Sequence, residues 1–104
     1  MVITRAARRY LLDRRTIADC GLKEFAAAND VTVDVAGKWL KDEGVTWREL
    51  YRTEMEARIR WMLHEGYTPA KMTEELGYEK IGSIYRWYKD IYGRPYRFKE
   101  VRDV

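Results

Sequence analysis

LKEFAAANDVTVDVAGKWLK at residues 22–41 and PAKMTEELGYEKIGSIYRWYK at residues 69–89 carry the same features in the same order. Each opens on a short apolar helical pattern and passes through a turn. Each then enters a second pattern ending in a basic, aromatic tetrapeptide, KWLK at 38–41 and RWYK at 86–89. Phe25 answers to Met72, Val31 to Tyr78 and Leu40 to Tyr88, with one extra residue in the second turn. Apolar residues recurring every three or four positions form a stripe along one side of a helix. The matches therefore predict two helix pairs, each pinned by its stripe, with Lys38 and Arg86 facing outward two positions before Leu40 and Tyr88.

Outward from these pairs the chain also reads as helix, since it has only two prolines and no long alternating pattern. The one β-like stretch, VTVDV at 31–35, is read as the entry to a helix, because Thr32 or Asp34 can cap it. Helices are predicted over 3–13, 22–29, 33–43, 47–64, 69–76 and 80–92. The breaks fall at Gly21, Gly44, Gly66, Gly77 and Gly93, where glycine commonly follows a helix end. In TWRELYRTEMEARIRWMLHEG, Thr46 and Glu49 suit a capping box, and Trp47, Leu50, Tyr51, Met55, Ile59, Met62 and Leu63 form the stripe. The helix that follows is about 18 residues and 27 Å long at 1.5 Å per residue. The expected architecture is all-α: a first unit over residues 1–44, a linker helix over 46–66 and a second unit over 67–104.

At 104 residues the chain is expected to be one domain or two small subdomains, and its 46% hydrophobic share is that of a packed protein. One cysteine, Cys20, permits no internal disulfide. No spacing of Cys and His suits a zinc site, and no cofactor is expected. No run of about 18 apolar residues suggests a membrane span, so the expectation is a soluble cytoplasmic protein. The net charge of +3 is uneven: residues 1–15 carry +4, residues 16–84 carry −4 and residues 85–104 carry +3. Basic ends would attract a polyanion if they shared a face; an ordinary solvated surface is the plainer reading.

A helix-turn-helix lays its first helix across the sugar-phosphate backbone and puts its second into the major groove. Two such units on a rigid connector would hold two recognition helices roughly 34 Å apart, one turn of duplex. The LxxFAxxxDVT and MTxxLGY segments, the longer second turn, the long linker and the ending YGRPYRFK resemble the DNA-binding domain of AraC-type transcription regulators. Gly93, Pro95, Phe98 and Lys99 match that family's closing run, and the resemblance extends from about Ala7 to Arg102.

The resemblance implies a monomeric reader of double-stranded DNA that regulates transcription, as an activator in contact with RNA polymerase. The positions facing base edges would be Asp34, Gly37 and Lys38 in the first recognition helix. In the second they would be Lys80, Ile81, Gly82, Ser83 and Arg86; Lys41, Tyr85 and Lys89 complete the candidate DNA-contacting set. Arg86 is the candidate for a bidentate guanine contact, with a phosphate clamp or surface ion pair as its plainer role. Asp34 departs from the pattern by placing an acid beside phosphate, unless it accepts from a cytosine amino group. With no room for an effector domain, control would come from abundance or a protein partner rather than a small ligand.

Other residues are read plainly. Trp39, Trp47, Trp61 and Trp87 are expected in the core, Cys20 as a small buried residue and His64 on the surface at a helix end. Arg5, Arg8 and Arg9 should face outward from a helix whose Ala6, Ala7, Tyr10 and Leu11 pack on the first unit. Glu54 with Glu56 and Glu74 with Glu75 are read as solvated faces, and no nucleophile, base and orienting group assemble into an enzyme. The alternative class is a helical adaptor, such as an antirepressor or a packaging or replication accessory factor, that grips DNA or a protein without regulating a promoter.

Overall fold

The six helices of the computed structural model, which describes residues 2–96, are α1 (Ile3–Asp13), α2 (Leu22–Ala28), α3 (Val33–Asp42), α4 (Trp47–His64), α5 (Pro69–Leu76) and α6 (Gly82–Tyr92). Among the described residues there is no strand, and no helix is long and apolar enough to cross a membrane. Phe98, Lys99 and Arg102, which enter the family resemblance, lie outside the described residues.

The starts of the helices follow from their capping residues. Thr32 Oγ1 accepts from Val35 N–H at 3.2 Å, Thr46 Oγ1 from Glu49 N–H at 3.2 Å and Thr68 Oγ1 from Lys71 N–H at 3.2 Å. Each satisfies one N–H that a helix start would otherwise leave orphaned. VTVDV therefore continues into α3, with Thr32 rather than Asp34 as its cap. Gly21 does not close a helix as expected; its extended backbone (φ −95°, ψ 169°) makes it the N-cap of α2, and its N–H donates to Glu24 Oε1 at 3.1 Å.

The ends share one geometry. After α2, α3, α4 and α5, the N–H of Val31, Val45, Tyr67 and Tyr78 returns to the carbonyl of Ala26, Leu40, Met62 and Thr73 respectively, at 2.9–3.1 Å. This is the closing bond of a Schellman turn, which requires a left-handed residue just before the donor. Gly77 (φ 88°) fills that position after α5, and Asp30 (φ 59°) fills it after α2.

The chain divides into two compact units, Met1–Met55 and Glu56–Val104, so each half of α4 belongs to a different unit. In the first unit α1 and α2 pack on α3, burying Ile3, Ala7, Leu11, Phe25, Ala26, Ala36 and Leu40 with Leu50 and Met55 of α4. Phe25 stacks on Trp47 (centroids 5.1 Å apart) and meets the edge of Tyr10 at 5.5 Å. The first turns of α4 also tie down the loop before α2: Trp47 Nε1–H donates to the Cys20 carbonyl and Tyr51 O–H to that of Ala18, each at 3.2 Å. Cys20 is buried, as expected. In the second unit α5 packs on α6, and the core is Ile59, Met62, Pro69, Met72, Thr73, Leu76, Ile84 and Tyr88.

Glu43, just past the end of α3, receives the Ile3 and Thr4 N–H groups on its two carboxylate oxygens, at 3.0 and 2.8 Å. It thus places a negative charge at the positive end of α1. The Thr4 side chain and these N–H groups hold its carboxyl below the ordinary glutamate value.

Candidate nucleic-acid interface

In both helix pairs the second helix has a buried side and a free side. Ala36 and Leu40 are the buried residues of α3, and Ile84 and Tyr88 those of α6. Opposite them, Asp34, Lys38 and Lys41 are exposed on α3, and Tyr85, Arg86 and Lys89 on α6. Lys38 and Arg86 stand two residues before a buried anchor in each case, at matching places on the two free faces.

The remaining candidates divide according to where helix begins. Lys80 and Ile81 precede the first helical residue of α6 rather than lying within it; Ile81 is its N-cap and makes no side-chain capping bond. The predicted range of 80–92 therefore loses two residues, because the turn after α5 runs on through Ile81 before helix begins. Gly82 is exposed and a Cβ there would meet nothing within 4 Å, so nothing in the chain itself excludes a side chain. Gly37 is half-buried, and its Cβ would meet Leu22 Cδ2 at an ordinary 3.6 Å. Ser83 is also half-buried.

The charge on these faces is unequal. Residues 29–45 carry four acids and two lysines, a net −2, whereas residues 77–96 carry four bases and two acids, a net +2. The basic surface of the first unit instead lies on α1, where Arg5, Arg8 and Arg9 are exposed. Arg9 stands 3.9 Å from Asp13, one turn along.

Two of the four tryptophans are not core residues. Trp39 is 41% exposed and Trp61 56%, while Trp47 and Trp87 are half-buried. Trp61 rests against Tyr67, with ring centroids 5.8 Å apart. Trp87 is held differently, since its Nε1–H donates to the Tyr78 hydroxyl at 2.7 Å across the turn of its own helix pair. Of the four carboxylates read as solvated helix faces, Glu56 pairs with Arg60 at 2.9 Å and Glu75 with Lys71 at 3.3 Å. Arg60 also lies 4.9 Å from the centre of the Tyr92 ring, fastening α4 to the end of α6.

Beyond α6 the chain turns back at Gly93, and an open groove forms that is lined by Tyr85, Arg86, Lys89, Pro95 and Tyr96. Sequence reasoning had no signal for it, because periodicity does not report how the segment after a helix folds back. Comparison of the chain with protein-family models, curated proteins and solved structures returned no match.

Proposed function

We propose that the α2–α3 and α5–α6 pairs are two helix-turn-helix units and that the protein binds a specific double-stranded DNA site to regulate transcription. The observation that carries this reading is the repeated free face. Two second helices, each anchored from below by a matching pair of buried residues, leave Lys38 and Arg86 exposed at matching positions. A helix held this way is what a major groove accepts, and cationic side chains on it supply contacts to phosphate and base edges. The DNA-contacting set is Asp34, Gly37, Lys38 and Lys41 in the first unit. In the second it is Lys80, Ile81, Gly82, Ser83, Tyr85, Arg86 and Lys89. Activation through RNA polymerase, and action as a cytoplasmic monomer, extend the proposal on the family resemblance.

Selection from a random duplex pool at near-physiological salt tests the reading. Enrichment of a bipartite motif, bound at least about a thousandfold tighter than a scrambled duplex, is the expected result. Lys38→Ala should then relax preference in one half of that motif only. A single half-site would leave one unit as the reader. No enrichment would favour a protein-gripping adaptor, a second reading to which the exposed Trp39 and Trp61 and the net −2 of residues 29–45 lend support.

A further inference from the structure

Resting on the reading of α6 as a DNA-contacting helix, we propose that the groove between α6 and residues 93–96 seats one backbone phosphate of duplex DNA. Arg86 and Lys89 supply the charge and the Tyr96 hydroxyl supplies a directed donor. Arg86 and Lys89 stand three residues apart on α6, hence on one side of it, and both are exposed. Pro95 and Tyr96 line the same groove.

The Tyr96 ring is fixed by its neighbours. It lies 5.7 Å from the Tyr85 ring and edge-on to Tyr88 at 5.0 Å. Its hydroxyl oxygen is buried and has no hydrogen-bond partner. Burial raises its pKa, so the phenol keeps its proton and remains a donor. An unsatisfied donor on a residue that shares its groove with two cationic side chains calls for an acceptor that carries negative charge. Arg86 and Lys89 are exposed and line the same groove as Tyr96, so their long side chains can shift as an anion enters. A phosphodiester oxygen fits this requirement, since hydroxyl and cationic donors converging on one oxygen-rich anion form short, charge-assisted bonds. Arg86 thereby moves from reading a guanine to clamping the backbone, and base reading in the second unit falls to the turn and first residues of α6, at Lys80, Ile81, Gly82 and Ser83.

The test uses the full chain, with affinity measured across a salt series for its selected duplex and for a scrambled one. Tyr96→Phe should melt no lower than the parent protein, because the lost hydroxyl has no partner in the free state, yet bind both duplexes about tenfold more weakly. Lys89→Ala and Arg86→Ala should each reduce the slope of log affinity against log salt by about 0.9, with equal losses on the two duplexes. Replacing the contacted phosphate by a neutral methylphosphonate should abolish any further loss from Tyr96→Phe. Unchanged affinity in Tyr96→Phe and Lys89→Ala, with the parent protein binding normally, overturns the phosphate seat alone. So does a changed base preference in Arg86→Ala. Failure of the parent protein to bind any duplex overturns the DNA reading and the seat with it.

Discussion

The α2–α3 and α5–α6 pairs share one backbone plan but finish it with different chemistry. Both first helices close through the same Schellman bond, and both second helices bury residues at matching positions. In the second pair a glycine takes the left-handed position, a tyrosine hydroxyl holds the tryptophan indole, and the surrounding residues are net basic. In the first pair those places hold Asp30, then Val31, which offers the Trp39 indole no side-chain acceptor, and net acidic residues. Trp39 is correspondingly 41% exposed. A helix pair needs its buried anchors and its turn bond; the free face and turn chemistry can diverge without unmaking it.

The comparison breaks if the two anchors prove unequal in kind. Phe25→Ala should cost about 3–5 kcal/mol and Met72→Ala about 2–5 kcal/mol in chemical denaturation, since both residues are fully buried. A loss under 1 kcal/mol at either position would show that its pair is not pinned as described. A smaller effect isolates the difference between the pairs. Tyr78→Phe strips the acceptor from the half-buried Trp87 N–H and should cost about 1–3 kcal/mol, whereas Val31→Ala changes no indole hydrogen bond. Equal responses of the indole N–H resonances of Trp39 and Trp87 to their two substitutions would contradict this.

The turn residues give a still smaller contrast of opposite sign. Asp30→Gly should raise stability by up to about 1 kcal/mol by relieving a left-handed non-glycine residue, and Gly77→Ala should lower it by about 1–2 kcal/mol. Thermal melts read both, and two shifts of the same sign would refute the shared turn geometry.

The least of these effects concerns Glu43 and depends on pH. Its carboxyl is held low in the folded protein, so the unfolded chain binds the proton more readily. The stabilisation is present above the unfolded value of about 4.3 and is lost as pH falls through the lower folded value. The melting temperature of the parent protein should therefore drop towards that of Glu43→Gln on acidification from pH 6 to pH 3. A gap that stays constant would show that the carboxylate does not carry the cap.

How much of this was legible in the residues varies by feature. The bounds of α1 follow from periodicity and those of α4 and α5 from periodicity with Thr46 and the glycines, because these signals act within a few residues along the chain. The exposure of Lys38 and Arg86 followed from register alone, two positions away from a buried anchor. Trp39 and Trp61 were misread because size and hydrophobicity predict burial only where a neighbouring element covers the side chain. Glu43 was legible only as the last residue of a predicted helix, and its role at the start of α1 depends on a contact across about forty residues of chain.

The sequence by itself determined an all-helical chain, the stretches that become helices, the repeated pair with its longer second turn, and the uneven charge. Each is set by local hydrogen bonding, capping and the helical repeat of apolar side chains. Only the tertiary structure decided that Glu43 caps α1, that Tyr78 holds Trp87, that α4 is divided between two compact units, and that Tyr96, whose hydroxyl is buried and unpartnered, lines one groove with Arg86 and Lys89. These depend on which surfaces meet once the helices pack, and helical periodicity leaves that choice open.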